Sequence, residues 1–112
     1  MVADGPRRDE TPQLRRLRRR IDALDRRIVR LLNERTLLGL SVGAEKASRG
    51  GKARRDPERE TEVLLRVAAA NEGPLPQSDM LALYRRLMAA TRRVQRDRLA
   101  ASKRREDYLP ER

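Results

Sequence analysis

Residues 11–51 read TPQLRRLRRRIDALDRRIVRLLNERTLLGLSVGAEKASRGG, and this stretch decides the fold. Apolar side chains recur at Leu14, Leu17, Ile21, Leu24, Ile28, Leu31, Leu38 and Val42, in steps that alternate three and four. Position 35 is the one step of the row that is not apolar; it holds Arg35. This spacing keeps one stripe of a helix apolar and forms a heptad seam. Thr11 offers an N-cap hydroxyl, and Pro12 suits the first helical position, where no N–H is needed. No breaker follows until Ser48-Arg49-Gly50-Gly51. The spacing therefore predicts a helix of about 36 residues, roughly 54 Å long. A compact chain of 112 residues is only roughly 35 Å across. A helix that overshoots its own domain needs a partner, and a homodimer built around two such helices is the simplest arrangement.

Two further helices follow. Residues 49–55 form a basic linker containing Gly50 and Gly51. Asp56-Pro57 restarts the chain as N-cap and first-turn proline, and Glu58 and Glu60 favour the positive end of the helix dipole. Val63, Leu64, Val67 and Ala68 share one face of this second helix, which stops near Asn71-Glu72-Gly73-Pro74. A third helix begins between Pro76 and Asp79, with a buried row of Met80, Leu83 or Tyr84, Leu87, Thr91, Val94 and Leu99. The expected organisation is a disordered arm over 1–10, one all-α domain of three helices over 11–101, and a charged tail over 102–112.

Composition excludes several chemistries. The chain has no Cys and no His. It therefore lacks a thiolate nucleophile, a cysteine zinc site and the commonest general base, and no nucleophile–His triad can form within it. With no Trp, no Phe and two Tyr, the core must be thin, as between packed helices. No apolar run is long enough to span a bilayer. Residues 1–11 are polar and carry no apolar signal core, so a cytoplasmic location is expected. The 28 Lys+Arg against 17 Asp+Glu give a formal charge of +11. Such a balance fits either nucleic-acid binding or solvated basic faces. The charges are spread along the whole chain and stacking aromatics are missing, which favours solvated faces and no nucleic-acid partner.

Polar residues in apolar rows are the candidates for function. Arg35 stands where the seam calls for Leu, and an unpaired buried guanidinium costs several kcal/mol (~3–5) unless it meets an anion. It is either a register-setting polar residue or a ligand-binding one. Arg18, Asp25, Leu32, Gly39 and Lys46 repeat every seven residues and form a stripe beside the seam. Arg18 and Arg35 stand roughly 25 Å apart along one helix. They meet at one small ligand only if Arg18 comes from the other chain of an antiparallel dimer. Thr91 and Gln95 place a hydroxyl and an amide on the core side of the third helix. Each of these residues alone is also compatible with an ordinary solvated or structural role.

Taken in order, the pieces resemble the all-helical, AroQ-type chorismate mutases over about residues 14–96. The carrying residues are Leu17-Arg18-Arg19-Arg20-Ile21-Asp22-Ala23-Leu24-Asp25, Leu31-Leu32-Asn33-Glu34-Arg35, Val42-Gly43-Ala44-Glu45-Lys46, Arg55-Asp56-Pro57-Glu58-Arg59-Glu60, and Leu81 to Gln95. The resemblance implies three helices per chain intertwined into a homodimer with two equivalent sites. It implies the rearrangement of chorismate to prephenate, on the route to phenylalanine and tyrosine, with no cofactor and no metal. It implies that Arg18 of the partner chain and Arg35 bind the two substrate carboxylates, and that Lys46 reaches a carboxylate and the ether oxygen. Gln95 would donate to that same oxygen, Glu60 with Asp56 and Arg59 would hold the ring hydroxyl, and Thr91 would touch a carboxylate. The same fold also accommodates an isochorismate pyruvate-lyase or a mutase for the amino analogue of chorismate. A basic helical nucleic-acid-binding dimer is the reading from another class, and it gives no reason for Thr91 and Gln95 to face the core. Neither a nucleic acid nor a membrane is an expected partner.

Overall fold

The computed structural model describes residues 10–51 and 55–108. The expected arm therefore lies outside the described residues except for Glu10, as do 52–54 of the linker and 109–112 of the tail. The described chain is three α-helices: α1 Pro12–Ser48, α2 Pro57–Ala70 and α3 Gln77–Tyr108. Among the described residues there is no strand, and no helix is long and apolar enough to cross a membrane. The chain divides between Glu34 and Arg35 into two compact units, and continuous α1 contributes to both.

The helix boundaries follow from capping chemistry. Leu14 N–H donates to Thr11 Oγ1 at 3.1 Å, so the Thr11 hydroxyl satisfies one of the first free amides of α1, and Arg15 N–H closes the first helical turn on the Thr11 carbonyl at 3.0 Å. At the other end Gly51 N–H donates to the Lys46 carbonyl at 2.8 Å and Gly50 N–H to the Ala47 carbonyl at 3.0 Å. This paired pattern needs a left-handed residue just past the helix, and Gly50 supplies it with φ of 79°. Asp56 caps α2 by accepting the Arg59 N–H at 3.1 Å, with Pro57 behind it and Glu58 and Glu60 in the first turn. Asn71 closes α2, and its amide ties the turn to the Leu75 carbonyl and to Gln77 Oε1. The Gln77 amide in turn donates to the Ala68 carbonyl at 2.8 Å, fastening the start of α3 to the end of α2.

In the first unit, the seam side chains Leu17, Ile21, Leu24, Ile28 and Leu31 are all exposed. In the second unit, Leu38 and Val42 continue the seam and are also exposed, so α1 buries no residue within one chain. The core of the second unit is small. Val63 of α2 and Met88 and Thr91 of α3 are its buried members. The sequence row for α3 offered Leu83 or Tyr84, and the structure selects Tyr84: Leu83 is exposed while Tyr84 is half-buried. Met88, absent from that row, is the buried apolar anchor of the helix. The helix meets neighbours on two sides, so its covered stripe is wider than a single seam, with Leu87 half-buried beside buried Met88. Residues 102–108, expected as part of a charged tail, continue α3 to Tyr108 and remain exposed.

The glycine end of α1 yields one prediction. An alanine at position 50 must adopt the left-handed conformation, so Gly50→Ala should lower stability by about 1–2 kcal/mol. A urea titration checks this as a lower midpoint at unchanged slope.

Candidate active site

The second unit contains an open cleft of about 320 Å³ lined from all three helices. The C-terminal part of α1 brings Arg35, Leu38, Gly39, Val42 and Lys46. Asp56 with Arg59, Glu60 and Val63 comes from the start of α2, and Met88, Thr91, Arg92 and Gln95 from α3. Each set has helical spacing. Residues 35, 39, 42 and 46 lie on one face of α1, and 88, 91, 92 and 95 on one face of α3. The walls are apolar at Leu38, Val42, Val63 and Met88, and the convergent groups are polar, the usual make-up of a small-molecule site. Four cationic side chains face two carboxylates here, a formal excess of two positive charges.

The approach of α1 to α3 is set at Gly39. A Cβ built there would lie 2.7 Å from the Thr91 methyl, closer than packed carbon atoms tolerate. The Thr91 side chain cannot easily turn away, because its hydroxyl donates to the Leu87 carbonyl at 2.9 Å. With no side chain in the way, the Gly39 carbonyl accepts from Gln95 Nε2 at 2.7 Å. A neutral amide has two N–H donors. Among the described residues Gly39 O is the one acceptor for this amide, so one donor fixes the group and the second is left for a ligand. Gly43, one turn on, packs against the stem of Gln95, with a built Cβ 3.4 Å from Cγ.

The cations are held by interactions of very different strength. The Arg35 guanidinium lies over the Tyr84 ring, 5.6 Å from its centre. A cation–π contact of this kind contributes about 0.5–1 kcal/mol when partly exposed and uses none of the guanidinium donors. Among the described residues no carboxylate pairs with Arg35. Lys46 Nζ stands 3.7 Å from Asp56 Oδ2, both side chains about half exposed at 48% and 47%. Exposed pairs of this kind are worth about 0–1 kcal/mol, so Lys46 is easily redirected to an incoming anion. Arg59 lines the cleft, but its Nη1 donates to Glu62 Oε1 at 2.9 Å. Arg18 belongs to the first unit, where its Nη1 donates to Glu10 Oε2 at 3.0 Å.

Of the residues singled out in the sequence, the cleft thus gathers Arg35, Lys46, Asp56, Arg59, Glu60, Thr91 and Gln95 within one unit. Arg18 is the exception. Sequence reasoning missed Arg92, which lines the cleft and donates from Nη1 to Glu60 Oε2. The available signal was its position three residues before Gln95, on the same face. Among the described residues no group of three or more Asp and Glu side chains is placed to hold a metal.

Residues 17–96 match the chorismate mutase type II family. The chain is 33% identical to a chorismate mutase from Thermus thermophilus in one form, with a TM-score of 0.67 over 70% of this chain and 98% of that one. In a second form of that enzyme the TM-score is 0.71 at 31% identity, over 75% and 94% of the two chains. It is also 39% identical over 85 residues to a bifunctional chorismate mutase/prephenate dehydratase of Stutzerimonas stutzeri, covering 72% of this chain and 23% of the relative. A bifunctional enzyme of the same description from Neisseria gonorrhoeae is 40% identical over 79 residues, covering 70% and 21%. The chain spans about a fifth of the length of these curated bifunctional relatives. With its three helices and this match across most of its length, the chain belongs to the chorismate mutase type II family.

The contact at Gly39 can be tested by a pair of substitutions. Gly39→Ala overpacks against the Thr91 methyl and should cost about 1–3 kcal/mol, offset in part by about 1 kcal/mol of helix propensity. Thr91→Ser removes that methyl and keeps the hydroxyl. Urea midpoints of the two single variants and the double variant should therefore be non-additive, the double variant recovering most of the Gly39→Ala loss.

Proposed function

We propose that this chain is a chorismate mutase, an isomerase that converts chorismate to prephenate in the biosynthesis of phenylalanine and tyrosine. The observation that supports this most directly is the convergence of Arg35, Lys46 and Gln95 on one cleft with a net excess of positive charge. Chorismate carries two carboxylates, so a surplus of two cations complements it. The rearrangement breaks the ether C–O bond and forms a C–C bond in one concerted step. No proton or electron enters or leaves, so a chain lacking Cys and His is chemically sufficient.

On this reading Arg35 leaves or shares its place over Tyr84 to bind one carboxylate. Lys46 turns from Asp56 to a carboxylate and the ether oxygen. Gln95, with its amide plane fixed by Gly39 O, directs its second N–H to the same oxygen. Thr91 closes the wall beside that carboxylate. Asp56, Arg59 and Glu60 face the ring hydroxyl. As the C–O bond lengthens, negative charge grows on the oxygen, and fixed donors there stabilise the transition state more than the substrate. A millionfold acceleration requires about 8 kcal/mol. Charge-assisted hydrogen bonds contribute roughly 1.5–3 kcal/mol each, and holding the substrate in its reactive shape supplies the remainder.

The second half of the proposal is an intertwined homodimer. The uncovered seam on α1, from Leu17 through Val42, supplies a long apolar face for a second copy. Arg18 is then the partner's contribution to each cleft, binding the second carboxylate. We place the working dimer in the cytoplasm with the other soluble steps of aromatic amino-acid synthesis. Neither a cofactor nor a nucleic acid takes part.

The deciding assay incubates purified protein with chorismate and isochorismate side by side and identifies the product. Prephenate from chorismate is expected; salicylate with pyruvate from isochorismate, and no prephenate, would overturn the reading. Lys46→Ala should lower kcat by about 10²–10³ while sedimentation still reports a dimer; wild-type turnover would remove Lys46 from the mechanism. Because the Gln95 amide donates without titrating, kcat should stay nearly flat from neutral to mildly alkaline pH. Gln95→Glu should convert this into activity that is present at acid pH and lost as the carboxyl ionises, since only the protonated acid donates.

A further inference from the structure

Glu60 is the least exposed carboxylate of the cleft, with 15% of its side chain accessible. Both of its oxygens are already engaged. Oε1 accepts from Arg55 Nε at 3.1 Å, and Oε2 accepts from Arg92 Nη1. Arg92 is in the opposite situation. Glu60 takes one of its five donors, and among the described residues its Nε and Nη2 meet no acceptor. With 24% of its side chain accessible, it is the most enclosed of the cleft cations that form an ion pair. Its place on α3, one residue after Thr91 and three before Gln95, points it into the same cleft.

We propose that Arg92 is a substrate-contacting residue that sets which ring substituent this site accepts. This rests on the reading of the cleft as a chorismate site with the ring hydroxyl toward α2. At that end Glu60 anchors Arg92, and Arg92 meets the ring substituent beside it. Its free N–H groups select an oxygen, which accepts. An amino group in the same place is rejected: once protonated it offers only donors and a like charge, which is destabilising in a partly enclosed site. Asp56 stays at the rim as the acceptor for the hydroxyl proton. The site is thereby tuned to chorismate and against its amino analogue by a repulsive element as much as by an attractive one.

The test measures kcat and KM of the whole wild-type chain, Arg92→Leu and Arg92→Gln on chorismate and on the analogue bearing an amino group in place of the ring hydroxyl. Circular dichroism confirms folding, and Arg92→Gln carries the test if Arg92→Leu does not fold. A hydrogen bond from a charged group is lost, so KM for chorismate should rise about tenfold or more while kcat changes by less than about threefold. The preference for chorismate over the amino analogue, as the ratio of kcat/KM values, should fall about tenfold. Equal losses on both substrates would make Arg92 a mere support for Glu60, and unchanged KM and preference would remove it from the site; either overturns the inference. Absence of prephenate from the wild type would instead overturn the reading on which the inference rests.

Discussion

The site depends on how closely α1 and α3 approach at Gly39. Two helices meeting over a side chain are held several ångströms further apart than two meeting over a glycine. Here the missing side chain lets the Gly39 carbonyl reach Gln95 and the Thr91 methyl fill the space that a Cβ would need. The contact therefore does two things at once. It sets the spacing between the walls of the cleft, and it fixes the orientation of the amide that lies between them. A backbone acceptor suits the second task because it cannot rotate. Gly43 extends the same arrangement by one turn, packing on the stem of Gln95.

Around this rigid contact the charged groups fall into two kinds. Arg35 rests on an aromatic face and Lys46 on an exposed carboxylate, and both contacts are cheap to exchange. Glu60 and Arg92 form a tighter pair at the α2 end, where removing either would strand the other in a partly enclosed site, while Arg55 reaches Glu60 from the solvent side. A cleft built this way has one end that yields to an anion and one end that stays fixed. The division follows from exposure: screened pairs near solvent are weak, and enclosed pairs are not.

Most of the fold could be read from the sequence because its signals are local. Thr11-Pro12, Asp56-Pro57 and Asn71-Glu72-Gly73-Pro74 each carry their own capping or breaking chemistry, and the structure starts or stops helices at or beside each one. Arg35 was visible because it broke a regular apolar row. Arg92 was not, because in a chain with 28 basic residues another arginine on a helix carries no contrast. Its significance comes from Glu60, thirty-two residues earlier, and that proximity is a tertiary fact. Met88 was missed for a related reason. A narrow seam is the simplest reading of an amphipathic helix, whereas α3 is covered on two sides and buries residues adjacent to its main row. Arg59 is the complementary case, since its place at the cleft was legible and its attachment to Glu62 is added by the structure.

The position of Arg35 over Tyr84 has a spectroscopic consequence. The chain contains no Trp and no Phe, and its second tyrosine, Tyr108, is 91% exposed at the end of α3. Tyr84 is therefore the single ultraviolet chromophore held in a defined, asymmetric setting, with a cation on its face. The near-ultraviolet circular dichroism of the native protein is in effect the signal of one ring at the edge of the cleft. Any ligand that draws the guanidinium off that ring is reported by the protein itself, with no label attached.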